Sequence, residues 1–160
     1  MTQSFELVVN GAARRVDAAA DTPLIHVLRN QLGLMGTRYG CGQEQCGSCM
    51  VLLDGEPVHA CTRAVDAAAG RPITTIEGLG GDGALHPLQQ AFLDEQAGQC
   101  GYCLTGILVS AKALLDRDPD PDRAAIVAAL DGHLCRCGAH TRIIRAVQRA
   151  AAAMRTEAGR

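Results

Sequence analysis

Residues 39–49 read YGCGQEQCGSC, which places three cysteines and three glycines within eleven positions. A chain containing this stretch must hold three sulfurs close together on a backbone largely free of side chains. A disulfide knot, a zinc site, a reactive redox pair and an iron–sulfur cluster could each require that. Five further cysteines, Cys61, Cys100, Cys103, Cys135 and Cys137, bring the total to eight.

The opening MTQSFELVVNGAARR lacks the basic head and apolar stretch of a signal peptide, so the cytoplasm is the expected compartment. Eight cysteines in reducing surroundings point to metal binding before structural disulfides. No apolar run approaches a membrane span. The net charge is −2 and the only aromatic residues are Phe5, Tyr39, Phe92 and Tyr102. With no basic excess to neutralise phosphates and few rings to stack bases, nucleic acid is excluded as a partner. A core of Ala, Leu, Val and Ile supplies little bulk, and inorganic staples would help small subdomains fold.

FELVVNGAARRVDA is two strand-like runs around Asn10-Gly11, a strong hairpin signal. Thr22 and Pro23 predict a helix start, with Leu24, Ile25, Leu28 and Leu32 on one face and Gly33 as terminator. MVLLDGEPVHA reads as a second hairpin turning at Asp54-Gly55, and RPITTI as a fifth strand. Beyond EGLGGDGALHP, which reads as a linker, the strand period disappears. Helices are expected over 87–97, 103–115, 123–130 and 141–154. The expected fold is therefore α+β, with a compact unit over residues 1–77 and a small four-helix bundle over residues 78–160.

Cys41, Cys46, Cys49 and Cys61 are spaced C-x4-C-x2-C-x11-C, which begins as plant-type [2Fe–2S] ligands do. The glycines then have a use, because peptide N–H groups must approach the sulfides closely. Structural zinc usually takes two well-separated ligand pairs. The second set, Cys100-x2-Cys103 followed by Cys135-x-Cys137, is less specific. Zinc stays open there on spacing alone. A thioredoxin-like pair would leave Cys135 and Cys137 without a role and lacks its preceding strand. A second [2Fe–2S] cluster is favoured because each cysteine pair stands at the start of an expected helix, where free N–H groups suit an anion. Each cluster with its four thiolates carries roughly −2 when oxidised, so two would take the chain to roughly −6.

YGCGQEQCGSCMV, the single Cys61, QCGYC and LCRCG, in this order, resemble the small iron–sulfur subunit of the molybdenum hydroxylases, a family that includes xanthine dehydrogenase and aldehyde oxidoreductase. The resemblance runs from the first strand to about Arg149. It implies a β-grasp, plant-type ferredoxin-like domain, then a helical domain with a second cluster. Cys100, Cys103, Cys135 and Cys137 would hold the station nearer the molybdenum, and Cys41, Cys46, Cys49 and Cys61 the station nearer the acceptor. A large partner subunit would bind the molybdopterin, in its cytosine dinucleotide form, and perform the hydroxylation. Gln99 matches the family glutamine that hydrogen-bonds the pterin, a role suited to an amide that donates and accepts at once. The glycine in CRCGAHTRI resembles the isoquinoline and nicotinate branch, as do ITTIEGLG and HPLQQAFLDEQAGQCGYC. That branch implies an N-heteroaromatic substrate such as nicotinate, and the acceptor would be c-type haem or a flavin subunit. An aldehyde- or purine-oxidising enzyme, a free-standing ferredoxin shuttle and a zinc-stabilised scaffold are the alternatives. Association with a membrane or export would come only through a partner.

Other motifs have plainer readings. GLGGDG (78–83) fits a dinucleotide fingerprint but lacks the helix and the later acid that such a site needs. His26, His59, His86, His133 and His140 show no ligand spacing and are expected at surfaces or interfaces. Arg142, Arg145 and Arg149 form a basic stripe, read as a solvated helix face or, less simply, a dock for an acidic partner.

Overall fold

The computed structural model describes every residue except Asp82 and Arg160. Asp82 belongs to the expected linker and lies outside the described residues. Two hairpins begin the chain, β1 (Thr2–Val9) with β2 (Ala12–Ala19) and β3 (Met50–Leu53) with β4 (Glu56–His59). Both turn where the sequence predicts, with left-handed backbone at Asn10 and Gly11 and at Asp54 and Gly55. β5 (Pro72–Thr74) enters between them, parallel to β1 and antiparallel to β3, giving the order β2-β1-β5-β3-β4.

The sheet wraps a short helical segment. Leu24, Ile25, Val27 and Leu28 are fully buried against Leu7, Val16, Val51, Leu53 and Ile73, which makes this the core of the first half. The segment departs from the expected regular helix. One turn of α-helix, α1 (Leu24–His26), passes into a π-helical stretch over Val27–Gln31. Thr22 does not cap it, and Pro23 occupies the capping position without a side-chain hydrogen bond. Val27 and Leu28, within the π-helical stretch, continue the buried face begun by Leu24 and Ile25.

Four helices follow: α2 (Pro87–Asp94), α3 (Leu104–Arg117), α4 (Arg123–Leu130) and α5 (His140–Ala158). Leu88, Phe92, Ile107, Ile126, Ile143 and Val147 form their common core. His86 caps α2 through Nδ1, which accepts the Leu88 N–H at 3.1 Å, while Gln89 Oε1 accepts the His86 N–H at 2.9 Å. Asp122 caps α4 by accepting the Ala125 N–H at 2.7 Å. The basic stripe is a solvated face, as one of the two expected readings has it, and it is also engaged within the chain. Arg145 reaches Glu95 at 3.4 Å, Arg149 reaches Asp94 at 2.9 Å, and Arg142 donates to the Gln96 carbonyl. These contacts fasten α5 to α2.

The two halves meet along α3. Leu52 on the sheet packs with Val109 and Ala113 on the helix. Gly106 sits directly on the carbonyl of Gly47, so a Cβ there would overlap the oxygen. The helical half is thus seated on the back of the cysteine-rich loop.

Candidate iron–sulfur sites

The loop before β3 carries Cys41, Cys46 and Cys49, and the turn after β4 carries Cys61. The β3–β4 hairpin closes this arrangement by bringing its far end back, with the Ala60 N–H donating to the Cys49 carbonyl at 3.2 Å. Peptide N–H groups converge on sulfur. Gln43 and Gln45 donate to Cys41 Sγ at 3.4 and 3.2 Å, and Cys41 donates to Cys46 Sγ at 3.3 Å. At Gly40 a Cβ would stand 2.6 Å from Cys46 Sγ, so only glycine leaves the sulfur its place.

These donors set the acidity of the thiols. The Gln43 N–H leads the effects that lower Cys41 to about 7, against the opposing effect of burial. Cys49 behaves oppositely, since burial pushes its thiol up to about 12. It contacts Cys61, which is buried beside it. The quartet therefore divides into an outer pair, Cys41 with Cys46, and an inner pair, Cys49 with Cys61.

The second quartet repeats this division. Cys100 and Cys137 bring their sulfurs to 3.5 Å at the outside. Cys103 and Cys135 lie within hydrogen-bonding reach further in, and burial first, then Cys135, pushes Cys103 up to about 12. Cys100 is lowered, chiefly by the Tyr102 N–H and next by Cys137, with the charge of Arg38 contributing least. Burial opposes ionisation of Cys135, but the N–H groups of Ala139, Cys137 and Gly138, together with Cys103, outweigh it and lower the thiol. Cys103 immediately precedes α3, and the loop from Cys135 to Ala139 leads into α5, so both pairs stand at helix starts as expected.

The donor set fits a binuclear cluster. Two sulfurs bound to one metal through bonds of ~2.3 Å stand about 3.8 Å apart at tetrahedral angles, close to the 3.5 Å between Cys100 and Cys137. Each quartet would hold such a cluster through its two sulfur pairs.

The two sites are neighbours. The Leu134 N–H donates to the Cys46 carbonyl at 3.2 Å, joining one ligand loop to the other. His133, expected with the other histidines at a surface or an interface, lies buried in the seam between the two halves. It is 5% exposed, holds Ser110 Oγ at 2.8 Å through Nε2, and lies against Gly47. Its sequence surroundings carry no signal of this, because the contacts come from α3 and from the other half. Arg38 donates to the Gly101 carbonyl at 2.6 Å, and the Tyr102 hydroxyl donates to the Tyr39 carbonyl. Gln99 lines a cleft of about 140 Å³ with Cys137, Gly138, Ala139, Thr141 and Arg142. The expected glutamine therefore stands beside one of the outer sulfurs.

Comparison with known proteins finds a matching family for each half. Residues 7–72 match the 2Fe-2S iron-sulfur cluster binding domain, and residues 75–148 match the [2Fe-2S] binding domain. The chain is 53% identical over 151 residues to one of the subunits of nicotinate dehydrogenase from Pseudomonas putida, covering 94% of this chain and 96% of that protein. It is 46% identical over 148 residues to the alpha subunit of isoquinoline 1-oxidoreductase from Brevundimonas diminuta, covering 92% and 97%. The crystal structure of quinoline 2-oxidoreductase from Pseudomonas putida 86 superposes with a TM-score of 0.92 at 36% identity, over 97% of each chain. Aldehyde oxidoreductase from Desulfovibrio desulfuricans gives the same TM-score at 42% identity, but the match occupies only 17% of that longer chain. Fold, paired thiols and relatives converge: the chain belongs to the family of small iron–sulfur subunits of the molybdenum hydroxylases, the electron-transfer components of these oxidoreductases.

Proposed function

We propose that Cys41, Cys46, Cys49 and Cys61 ligate one [2Fe–2S] cluster, that Cys100, Cys103, Cys135 and Cys137 ligate the other, and that the chain serves a hydroxylase of N-heteroaromatic substrates such as nicotinate. The observation that carries the ligand assignment is the division of each quartet into two sulfur pairs, with Cys100 and Cys137 3.5 Å apart. The substrate class rests on 53% identity to the nicotinate dehydrogenase relative and 46% identity to the isoquinoline 1-oxidoreductase relative. When bound, the clusters supply one-electron stations that link an acceptor to a molybdenum centre on the large subunit.

The residues of this chain hold and insulate those stations. Peptide N–H groups around Cys41 and Cys135 stabilise negative charge on sulfur, and buried Cys49 and Cys103 keep the inner edges away from water. Gln99 presents an amide beside Cys137, where it can pair with the edge of a molybdopterin in its cytosine dinucleotide form. The quartet adjoining Gln99 is then the entry station, and the ferredoxin-type quartet delivers to a c-type haem domain or a flavin subunit. The complex works in the cytoplasm.

Iron, acid-labile sulfide and electron paramagnetic resonance of anaerobically purified complex test the assignment. Two distinct [2Fe–2S] signals are expected, one lost in Cys46→Ser and the other in Cys103→Ser. One signal, no signal, or zinc without sulfide overturns it.

A further inference from the structure

Arg38 carries a charge that no carboxylate among the described residues balances. The ion pairs among the described residues engage Arg71, Lys112, Arg117, Arg145, Arg149 and Arg155, but not Arg38. It is nevertheless held firmly. From the loop of the first half its side chain crosses to the second, where Nη1 donates to the Gly101 carbonyl at 2.6 Å. The guanidinium lies 5.4 Å from the centroid of the Tyr102 ring. Gly101 and Tyr102 are the two residues between Cys100 and Cys103. Tyr102 is fixed in turn, since its hydroxyl donates to the Tyr39 carbonyl. A partly buried cation anchored by a carbonyl and a ring face, with no carboxylate partner among the described residues, is stabilised by negative charge nearby. Four thiolates around a [2Fe–2S] core supply it, at roughly −2 when oxidised and roughly −3 when reduced.

We infer that Arg38 is a counter-charge lent by the ferredoxin-like half to the cluster of the helical half, and that it raises that cluster's reduction potential. The inference rests on the assignment of Cys100, Cys103, Cys135 and Cys137 as ligands. One electron enters the cluster and no bond is made or broken, so the reduced state differs from the oxidised by one added negative charge. A fixed cation favours the more negative state and so draws the electron onto this station. The guanidinium is tied to the Cys100–Cys103 loop, so the effect falls mainly there, although Arg38 is only three residues from Cys41. The planar fork suits the site for anchoring, while the charge sets the potential.

Redox titration of the assembled complex, followed by electron paramagnetic resonance, tests this. The signals are assigned beforehand by their loss in Cys46→Ser and Cys103→Ser. A parent complex without two assignable signals overturns the ligand assignment together with this inference, whereas two signals leave the assignment standing whatever Arg38 does. Arg38→Gln is expected to lower the potential of the signal that Cys103→Ser abolishes. The electron's preference for that cluster falls three- to tenfold, about 28 to 59 mV for a one-electron couple. The other signal moves less, and Arg38→Lys stays closer to the parent than Arg38→Gln. Should Arg38→Gln lose its clusters, Tyr102→Leu decides: it keeps the charge but removes its platform, and shifts the same signal in the same direction by a smaller factor. Unmoved potentials in the deciding variant, or a larger shift at the ferredoxin-type cluster, overturn the inference.

Discussion

Gly106, in the first turn of α3, rests on the carbonyl oxygen of Gly47, the residue between Cys46 and Ser48. Two backbones approach this closely only where neither side has a side chain to interpose. Gly47 also has a φ of +72° and lies under His133, so its lack of a Cβ is needed twice.

Gly106→Ala should therefore push α3 off the ligand loop. Overpacking of this kind costs about 1–3 kcal/mol. The holo protein should melt at lower temperature, with the spectrum of the ferredoxin-type cluster altered because Gly47 must move. A Tm and a cluster spectrum equal to the parent's would show that the seam yields freely.

The strands and hairpins of the first half are legible in the sequence because local rules govern them. Asn10-Gly11 and Asp54-Gly55 fix turns with no help from the rest of the chain. The four later helices are legible too, with ends differing by a few residues; α5, for example, begins at His140 and runs to Ala158. The segment after Pro23 has the pattern of a regular helix and folds otherwise, because apolar periodicity marks the buried face of a helix without fixing whether its turns are α or π. The eight cysteines are visible in the sequence, but their division into outer and inner pairs is not. Burial decides that, and burial belongs to the folded whole. The roles of His133 and Arg38 are hidden for the same reason, as every contact that gives them meaning lies far along the chain.

The cap of α2 should make the helical half sensitive to acid. Burial first, then the charge of Lys112, lowers the pKa of His86 from its ordinary 6.5, with Asp116 and Glu157 opposing. Nδ1 accepts the Leu88 N–H only while unprotonated. Between the folded pKa and 6.5 the unfolded chain binds more protons, so this contribution is intact above 6.5 and is lost as pH falls through the folded value. His86→Asp, which keeps an acceptor at the cap, should flatten the dependence. His86→Ala should cost about 1 kcal/mol near neutral pH. Thermal melts across mildly acidic pH, compared among the three proteins, check both outcomes.

Relay order can be read from where electrons stop. Cys100→Ser should damage the station beside Gln99 and halt turnover with every acceptor. Cys46→Ser should still permit substrate to reduce the molybdenum and the nearer cluster, while exit is blocked. Rapid-mixing spectra would reverse the order if Cys46→Ser left the nearer cluster oxidised after substrate addition.

Gln99→Ala should leave iron and sulfide unchanged while lowering pterin retention or shifting the molybdenum potential. Metal analysis and release of the cofactor on denaturation measure the two separately. Full retention, with an unshifted potential, would assign Gln99 to the cleft wall alone.

The hydrogen bond from Leu134 to the Cys46 carbonyl has a kinetic corollary. Electronic coupling decays steeply across empty space and far less along bonded atoms, and here one peptide contact closes the gap. If each quartet holds a cluster, electron passage across the seam would then need no breathing of the halves against each other. Under the cluster assignment proposed above, the slow steps of the complex are then expected at its outer boundaries, where substrate arrives and acceptor departs.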